Sequence, residues 1–312
     1  MGTKKILNST FHDKNKHRTG YDVDDLCKYY PALNEFVFIN QYKTKTIDFS
    51  NPIAVKAINK AILFANYKLS FWDFPDDNLC PPIPGRVDYI HYLAELLKES
   101  SIIENPSVLD IGTGASCIYP ILGNAVYGWQ FVGTDIDKKS IKSAEQILIK
   151  NDLTEDINLR HQADSSHIFR DILNSADKFS ATMCNPPFYR SEEEAMQANK
   201  RKSEGLGTSS NTVARNFSGK NMELWYKGGE KAFVHTYLYE SSLYKTQCFW
   251  YTTLVSKKEN LESMYASLKK LKAAEIKTIP MYHGNKITRI VAWTFLSKGE
   301  QKLWNENANG IP

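Results

Sequence analysis

The run Ser107-Val108-Leu109-Asp110-Ile111-Gly112-Thr113-Gly114 decides how this chain is read. Its apolar first half has the length and composition of a buried strand, and it breaks into Gly-Thr-Gly ahead of a helix-compatible stretch from Ala115 to Leu122. A doubly wound α/β sheet puts such a glycine turn against a ligand, because a residue without Cβ lets the backbone approach closely. The third glycine of a dinucleotide fingerprint would fall at Cys117. That departure disfavours pyrophosphate at the helix start and takes weight from a dehydrogenase reading.

Three further turns follow in order. A second strand, Gln130 to Thr134, ends in Asp135, where an acid accepts hydrogen bonds from a ribose diol. A third, Ile157 to His161, leads to the polar turn Ala163-Asp164-Ser165-Ser166, which can meet an adenine amino group. A fourth, Phe179 to Cys184, runs into Asn185-Pro186-Pro187-Phe188. Two prolines fix φ and withhold their own N–H groups, so the Asn185 side-chain oxygen and the Pro186 carbonyl can both accept from a planar amine. Phe188 can stack on the attached ring, a contact worth about 1–3 kcal/mol. Taken singly, each piece is also an ordinary turn. The ordered set is similar to that of S-adenosylmethionine-dependent amino methyltransferases.

The fold expectation is α/β: a Rossmann-like methyltransferase fold with a seven-stranded, mostly parallel sheet. Strands are placed near 107–111, 130–135, 157–161, 179–184, 247–255, 275–281 and 289–296. Gly284-Asn285 reads as a hairpin turn, which makes the last strand antiparallel. Helices are placed at Lys138 to Lys150, Glu230 to Leu243 and Lys258 to Lys272. Residues 1–100 read as a mainly helical extension, with segments at Val23 to Tyr29, Asn51 to Phe64 and Val87 to Lys98, and an irregular Pro-rich clamp from Leu79 to Arg86. Residues 101–312 form the methyltransferase domain. Within it, about 189–229 is polar and lacks periodicity, and reads as a mobile insert beside the Asn-Pro-Pro-Phe corner, with Gly228-Gly229 read as a hinge before the next helix.

Composition bounds the rest. The chain has 312 residues, 42% of them hydrophobic, and no apolar run approaches the length of a membrane span. A cytoplasmic location is the expectation. Five scattered cysteines and seven dispersed histidines show neither paired metal-ligand spacing nor a triad, so no metal is expected. The net charge of +4 is concentrated in the first twenty residues, at Lys4, Lys5, Lys14, Lys16 and Arg18, where His12 and His17 add charge when protonated, and a second basic cluster is Lys200-Arg201-Lys202 with Arg215 and Lys220. Charge runs are usually solvated, but two of them bracketing an amine-binding corner point to phosphates.

The stretches Ile111-Gly112-Thr113-Gly114-Ala115-Ser116-Cys117-Ile118-Tyr119-Pro120 and Cys184 to Phe188 resemble the bacterial 23S ribosomal RNA adenine-N6 methyltransferase F family and its eukaryotic RNA-methylating relatives. The resemblance extends to His12-Asp13-Lys14-Asn15-Lys16-His17, Ile47-Asp48-Phe49, Pro82-Ile83-Pro84-Gly85-Arg86, Tyr89-Ile90-His91 and Val291-Ala292-Trp293-Thr294-Phe295, and so covers nearly the whole chain. It implies methyl transfer from S-adenosylmethionine to N6 of one adenine in 23S rRNA; the expected partner is 23S rRNA or a large-subunit precursor, and the expected state a monomer. It also implies cofactor contacts at Gly112, Gly114 and Ser116, at Asp135 on the ribose, at Ser166 near the adenine, and at Arg86 on the methionine carboxylate. The substrate contacts implied are Asn185, Pro186 and Phe188. Where the family often has Arg-Asn-Arg, this chain has Lys14-Asn15-Lys16, which keeps phosphate attraction but loses bidentate geometry. A guanine-N2 rRNA methyltransferase, a protein glutamine-N5 methyltransferase and an RNA-binding module with a structural cofactor site remain as alternatives. The glutamine enzymes usually carry Tyr at the corner and would not need basic clusters.

Overall fold

The computed structural model describes residues 11–197, 224–283 and 286–308. Helix α1 (Val23–Tyr29) opens with the Asp22 side chain accepting from the backbone N–H groups of Asp24 and Asp25. A two-stranded antiparallel hairpin follows, β1 (Val37–Ile39) with β2 (Lys45–Ile47). Helix α2 (Pro52–Tyr67) starts on an Asn51 cap with Pro52 in its first turn. Helix α3 (Ile83–Glu99) begins four residues earlier than expected, inside the Pro-rich stretch. Pro84 is in its first turn, where the missing N–H has no intrahelical partner to lose, so the stretch holds a helix start and only its front half is irregular.

The remaining elements alternate. They run β3 (Ser107–Ile111), α4 (Ile118–Tyr127), β4 (Gln130–Asp135), α5 (Lys138–Lys150), β5 (Ile157–His161) and β6 (Phe179–Cys184). After the long gap come α6 (Gly229–Ser241), β7 (Cys248–Val255), α7 (Asn260–Lys270), β8 (Glu275–His283), β9 (Lys286–Thr294) and α8 (Lys298–Ala308). Seven strands pair in the order β5-β4-β3-β6-β7-β9-β8. Pairings are parallel except those of β9, which runs antiparallel to both β7 and β8. The strand order reverses direction at β3 and β6, and the crevice at their carboxyl ends is where such sheets bind ligands.

Apolar cores fill both faces. On one, Val108, Ala181 and Met183 pack against α2, α3, α4 and α5 in a continuous cluster that includes Ala61, Leu93 and Ile121. On the other, Leu109, Ile111 and Phe179 pack against α6 and α7 through Val234, Leu238 and Met264. The opposite assignment of Val108 and Leu109 is the two-residue alternation of a strand, and every residue of β7 is buried. Because α2 and α3 share a core with the sheet, the segment carrying Arg86 is held over the carboxyl edge.

Candidate active site

The backbone leaving β3 is turned by two hydrogen bonds, from Gly112 N (2.9 Å) and Thr113 N (2.8 Å) to the Thr134 carbonyl. Gly112 has φ of +76°, a conformation a residue with Cβ rarely adopts. Cys117, at the third fingerprint position, is buried with φ of +50° and forms the start of α4, so Ala115 and Ser116 belong to the turn. At the end of β4, Asp135 is 8% exposed. Its Oδ2 accepts from Gly114 N at 2.9 Å and its Oδ1 from Asp137 N at 2.8 Å. Desolvation raises its carboxyl above the ordinary range, while those backbone donors oppose the shift. Each oxygen keeps acceptor capacity beyond these bonds. Asp110, one step back on β3, is wholly buried, and burial pushes its carboxyl up to about 7.

Arg86 reaches the same place from the first turn of α3. Its Nη1 donates to the Tyr119 hydroxyl at 2.8 Å, and its Nε is buried without a hydrogen-bond partner among the described residues. The Trp72 indole donates to the Ser116 carbonyl at 2.9 Å and ties the glycine turn to the segment after α2. Past β5, the Ser166 hydroxyl and N–H both donate to Asp164 Oδ1, at 2.6 and 2.9 Å, which leaves that hydroxyl free only as an acceptor. The following backbone is gripped by buried Glu240 of α6, which accepts from Ile168 N at 2.9 Å and Phe169 N at 2.8 Å and meets His167 Nδ1 at 3.0 Å. At the end of β6, Asn185 is half-buried and its amide makes no hydrogen bond among the described residues.

These groups line one cavity of about 450 Å³, whose wall includes Arg86, Gly112, Gly114, Ser116, Asp135, Ser166 and Asn185. Pro187 lines it as well; Pro186 is buried outside the lining, and Phe188 is 38% exposed. Trp225 and Tyr226 close one side. Phe188 N and Tyr189 N donate to the Leu224 carbonyl and Tyr226 N to the Tyr189 carbonyl, so the ends of the segment between them are pinned together beside the corner. Consecutive positive φ values at Gly228 and Gly229 turn the chain into α6.

An RNA methyltransferase family model matches residues 5–297. The chain belongs to this RNA methyltransferase family. It is 50% identical to the ribosomal RNA large subunit methyltransferase F of Flavobacterium psychrophilum over 304 residues, covering 95% of this chain and 96% of the relative. It is 45% identical over 309 residues to the Aeromonas salmonicida protein of the same name, covering 97% of each. Among solved structures, the hMettl16 catalytic domain in complex with the MAT2A 3′UTR hairpin 1 is similar at 27% identity and a TM-score of 0.78, over 92% of this chain and 96% of that one. The N-terminal domain of human METTL16 in complex with SAH is similar at 26% identity and a TM-score of 0.74, over 92% and 99%.

Within this family frame, the amino-terminal basic run does not present all its residues alike. Lys14 and Lys16 are exposed, and Arg18 pairs with Asp13 at 2.8 Å. His17 is 5% exposed, bonds to the Tyr67 hydroxyl at 2.6 Å, and is lowered to about 4 by burial. It is neutral at physiological pH and faces the core, so a cationic phosphate contact is not what its placement offers. Lys200, Arg201 and Lys202 lie outside the described residues. The pairing of β8 with β9 matches the hairpin expected from sequence, but its reach past the rest of the sheet had no sequence signal. Pairing of β9 with β7 ends at Arg289 opposite Val255, while β8 and β9 pair on to His283 and Lys286. β7 runs parallel to β6, so this extension projects from the same carboxyl edge as the cavity, by about three residues or ~10 Å, with Tyr282 and Ile287 exposed. Among the described residues, no helix is long and apolar enough to cross a membrane, and no group of three or more His, Cys, Asp or Glu could hold a metal.

Proposed function

We propose that this chain transfers a methyl group from S-adenosylmethionine to N6 of one adenine in 23S rRNA. The observation that carries the reading is Asn185: it stands at the carboxyl end of β6, in the wall of the cavity that also holds the glycine turn and Asp135, with its amide uncommitted among the described residues. The residues fit the cofactor. Buried Asp135 offers acceptors for a ribose diol, and Gly112 leaves room for close backbone approach. Arg86 has a buried Nε–H that no group among the described residues satisfies, which suits a carboxylate. The relatives named ribosomal RNA large subunit methyltransferase F support an rRNA substrate, and the SAH complex of METTL16 supports the cofactor.

Bound there, the cofactor supplies an electrophilic methyl on a good leaving group, so the protein's task is alignment. Asn185 Oδ1 would accept from an N–H bond of the adenine amine, favour its pyramidal form and direct its lone pair along the line of attack. Positive charge develops on that nitrogen, and this neutral acceptor stabilises it without needing a base, whereas Pro186, the second acceptor expected from sequence, is buried outside the cavity wall. The proton leaves to water afterwards. The exposed Phe188 ring offers stacking to a base taken out of its helix. Lys14 and Lys16, and the arm formed by β8 and β9, are placed to meet phosphates or bases around that adenine. The reading fits a monomer acting in the cytoplasm on rRNA or a precursor subunit. Deleting the gene in its host should remove N6-methyladenosine from one position of 23S rRNA, and restoring it should bring the mark back; 23S rRNA with unchanged nucleosides would reject the proposal.

A further inference from the structure

Asn15 ties the amino-terminal run to the helix that carries Arg86. Its side chain is 3% exposed. Nδ2 donates to the Pro84 carbonyl at 3.0 Å and to Asp88 Oδ1 at 2.6 Å, while Oδ1 accepts from His17 N at 2.9 Å. His12 N donates to the same Asp88 oxygen at 3.0 Å, and the His12 ring meets Glu95 at 3.0 Å and stacks on His91. Pro84 and Asp88 bracket Arg86, two residues before and two after. An amide of this length is the group that can donate to a carbonyl and a carboxylate and still accept a backbone N–H. The residues flanking it, Lys14 and Lys16, point the other way, into solvent.

We propose that Asn15 is a positioning residue for the amino-acid end of the cofactor: through Pro84 and Asp88 it fixes the first turn of α3, and with it the Arg86 guanidinium. The segment that offers Lys14 and Lys16 to RNA thereby also sets cofactor affinity. This rests on Arg86 binding the methionine carboxylate. The run is a built part of the cofactor site, and the interior lattice of His12, Asn15 and Asp88 is what joins an RNA-facing surface to a carboxylate-binding side chain.

The test compares two ligands by calorimetry on the full chain without RNA. S-adenosylhomocysteine has the carboxylate; 5′-methylthioadenosine shares the adenosine and sulfur but lacks it. Arg86→Ala should weaken the first about tenfold or more and the second less than about twofold, as expected when a charged hydrogen bond is removed. Asn15→Ala should show the same selectivity at smaller size, about three- to tenfold, because Arg86 remains but is no longer held. If Asn15→Ala does not fold, Asn15→Ser, which keeps a donor at shorter reach, is read in the same way. Equal losses for both ligands, or none for either, in the Asn15 variant while Arg86→Ala discriminates would overturn the role of Asn15. Failure of Arg86→Ala itself to discriminate would overturn the carboxylate reading beneath it.

Discussion

Replacing Asp135 by Ala isolates the ribose contact. Both carboxylate oxygens are aimed by backbone donors, Gly114 N at 2.9 Å and Asp137 N at 2.8 Å, so the group is oriented before any ligand arrives. A bond from a hydroxyl to such a charged acceptor contributes about 1.5–3 kcal/mol. With about 1.4 kcal/mol per tenfold in affinity, removing one bond weakens binding about tenfold and removing two about a hundredfold or more. The variant also frees the two backbone N–H groups and loosens the glycine turn, which adds to the loss. Asp135→Asn keeps the shape and one acceptor but turns an NH2 towards a backbone N–H or a ribose hydroxyl, and should fall between wild type and Ala. Calorimetry with S-adenosylhomocysteine measures this directly, with ligand-free melting as the check on folding. A folded Asp135→Ala protein that binds with unchanged affinity would refute the placement of the ribose.

Asn185→Ala should lower single-turnover methylation by about two orders of magnitude or more, the usual cost of losing an oriented transition-state partner, with little change in cofactor affinity. Phe188→Ala should mainly weaken productive RNA binding and leave residual chemistry, read from the concentration dependence of the same assay. Lys14→Glu with Lys16→Glu should weaken RNA binding and lower the slope of log affinity against log salt by about 0.7–0.9 for each phosphate no longer neutralised; an unchanged slope would mark the two lysines as mere solvated charges. Asp110 has a folded-state value raised to about 7, so its burden on stability builds as pH rises from the ordinary carboxylate range towards 7. Cofactor-free Asp110→Asn should therefore melt on the order of a few degrees higher than wild type at pH 8 and no higher at pH 4, and a pH-independent difference would contradict the burial account.

The sheet was legible because β3, β4, β6 and β7 are short, largely apolar runs buried along most of their length, and they and the partly buried edge strand β5 lie close to where the sequence placed them. The β1–β2 hairpin was missed: its three-residue strands have no buried alternation to read. The start of α3 was hidden by prolines, which stop a helix interior but fit its first turn. In the cavity wall, Gly112, Asp135 and Asn185 come together because they end or directly follow strands at one edge, while Arg86 arrives from the first turn of α3. Charge placement was harder. Sequence shows that His17 sits among lysines but not that it turns inward, nor that Asn15 and His12 of the same run are bonded into α3. Glu240 had no local signal at all, since it lies about seventy residues from the loop it holds.

The account turns on which atom receives the methyl. Incubating the purified chain with rRNA lacking the modification and isotopically labelled S-adenosylmethionine, then digesting the RNA to nucleosides, identifies that atom. Label confined to N6-methyladenosine, and nearly absent with Asn185→Ala, is the predicted result; label in N2-methylguanosine, or in protein and not RNA, would contradict it.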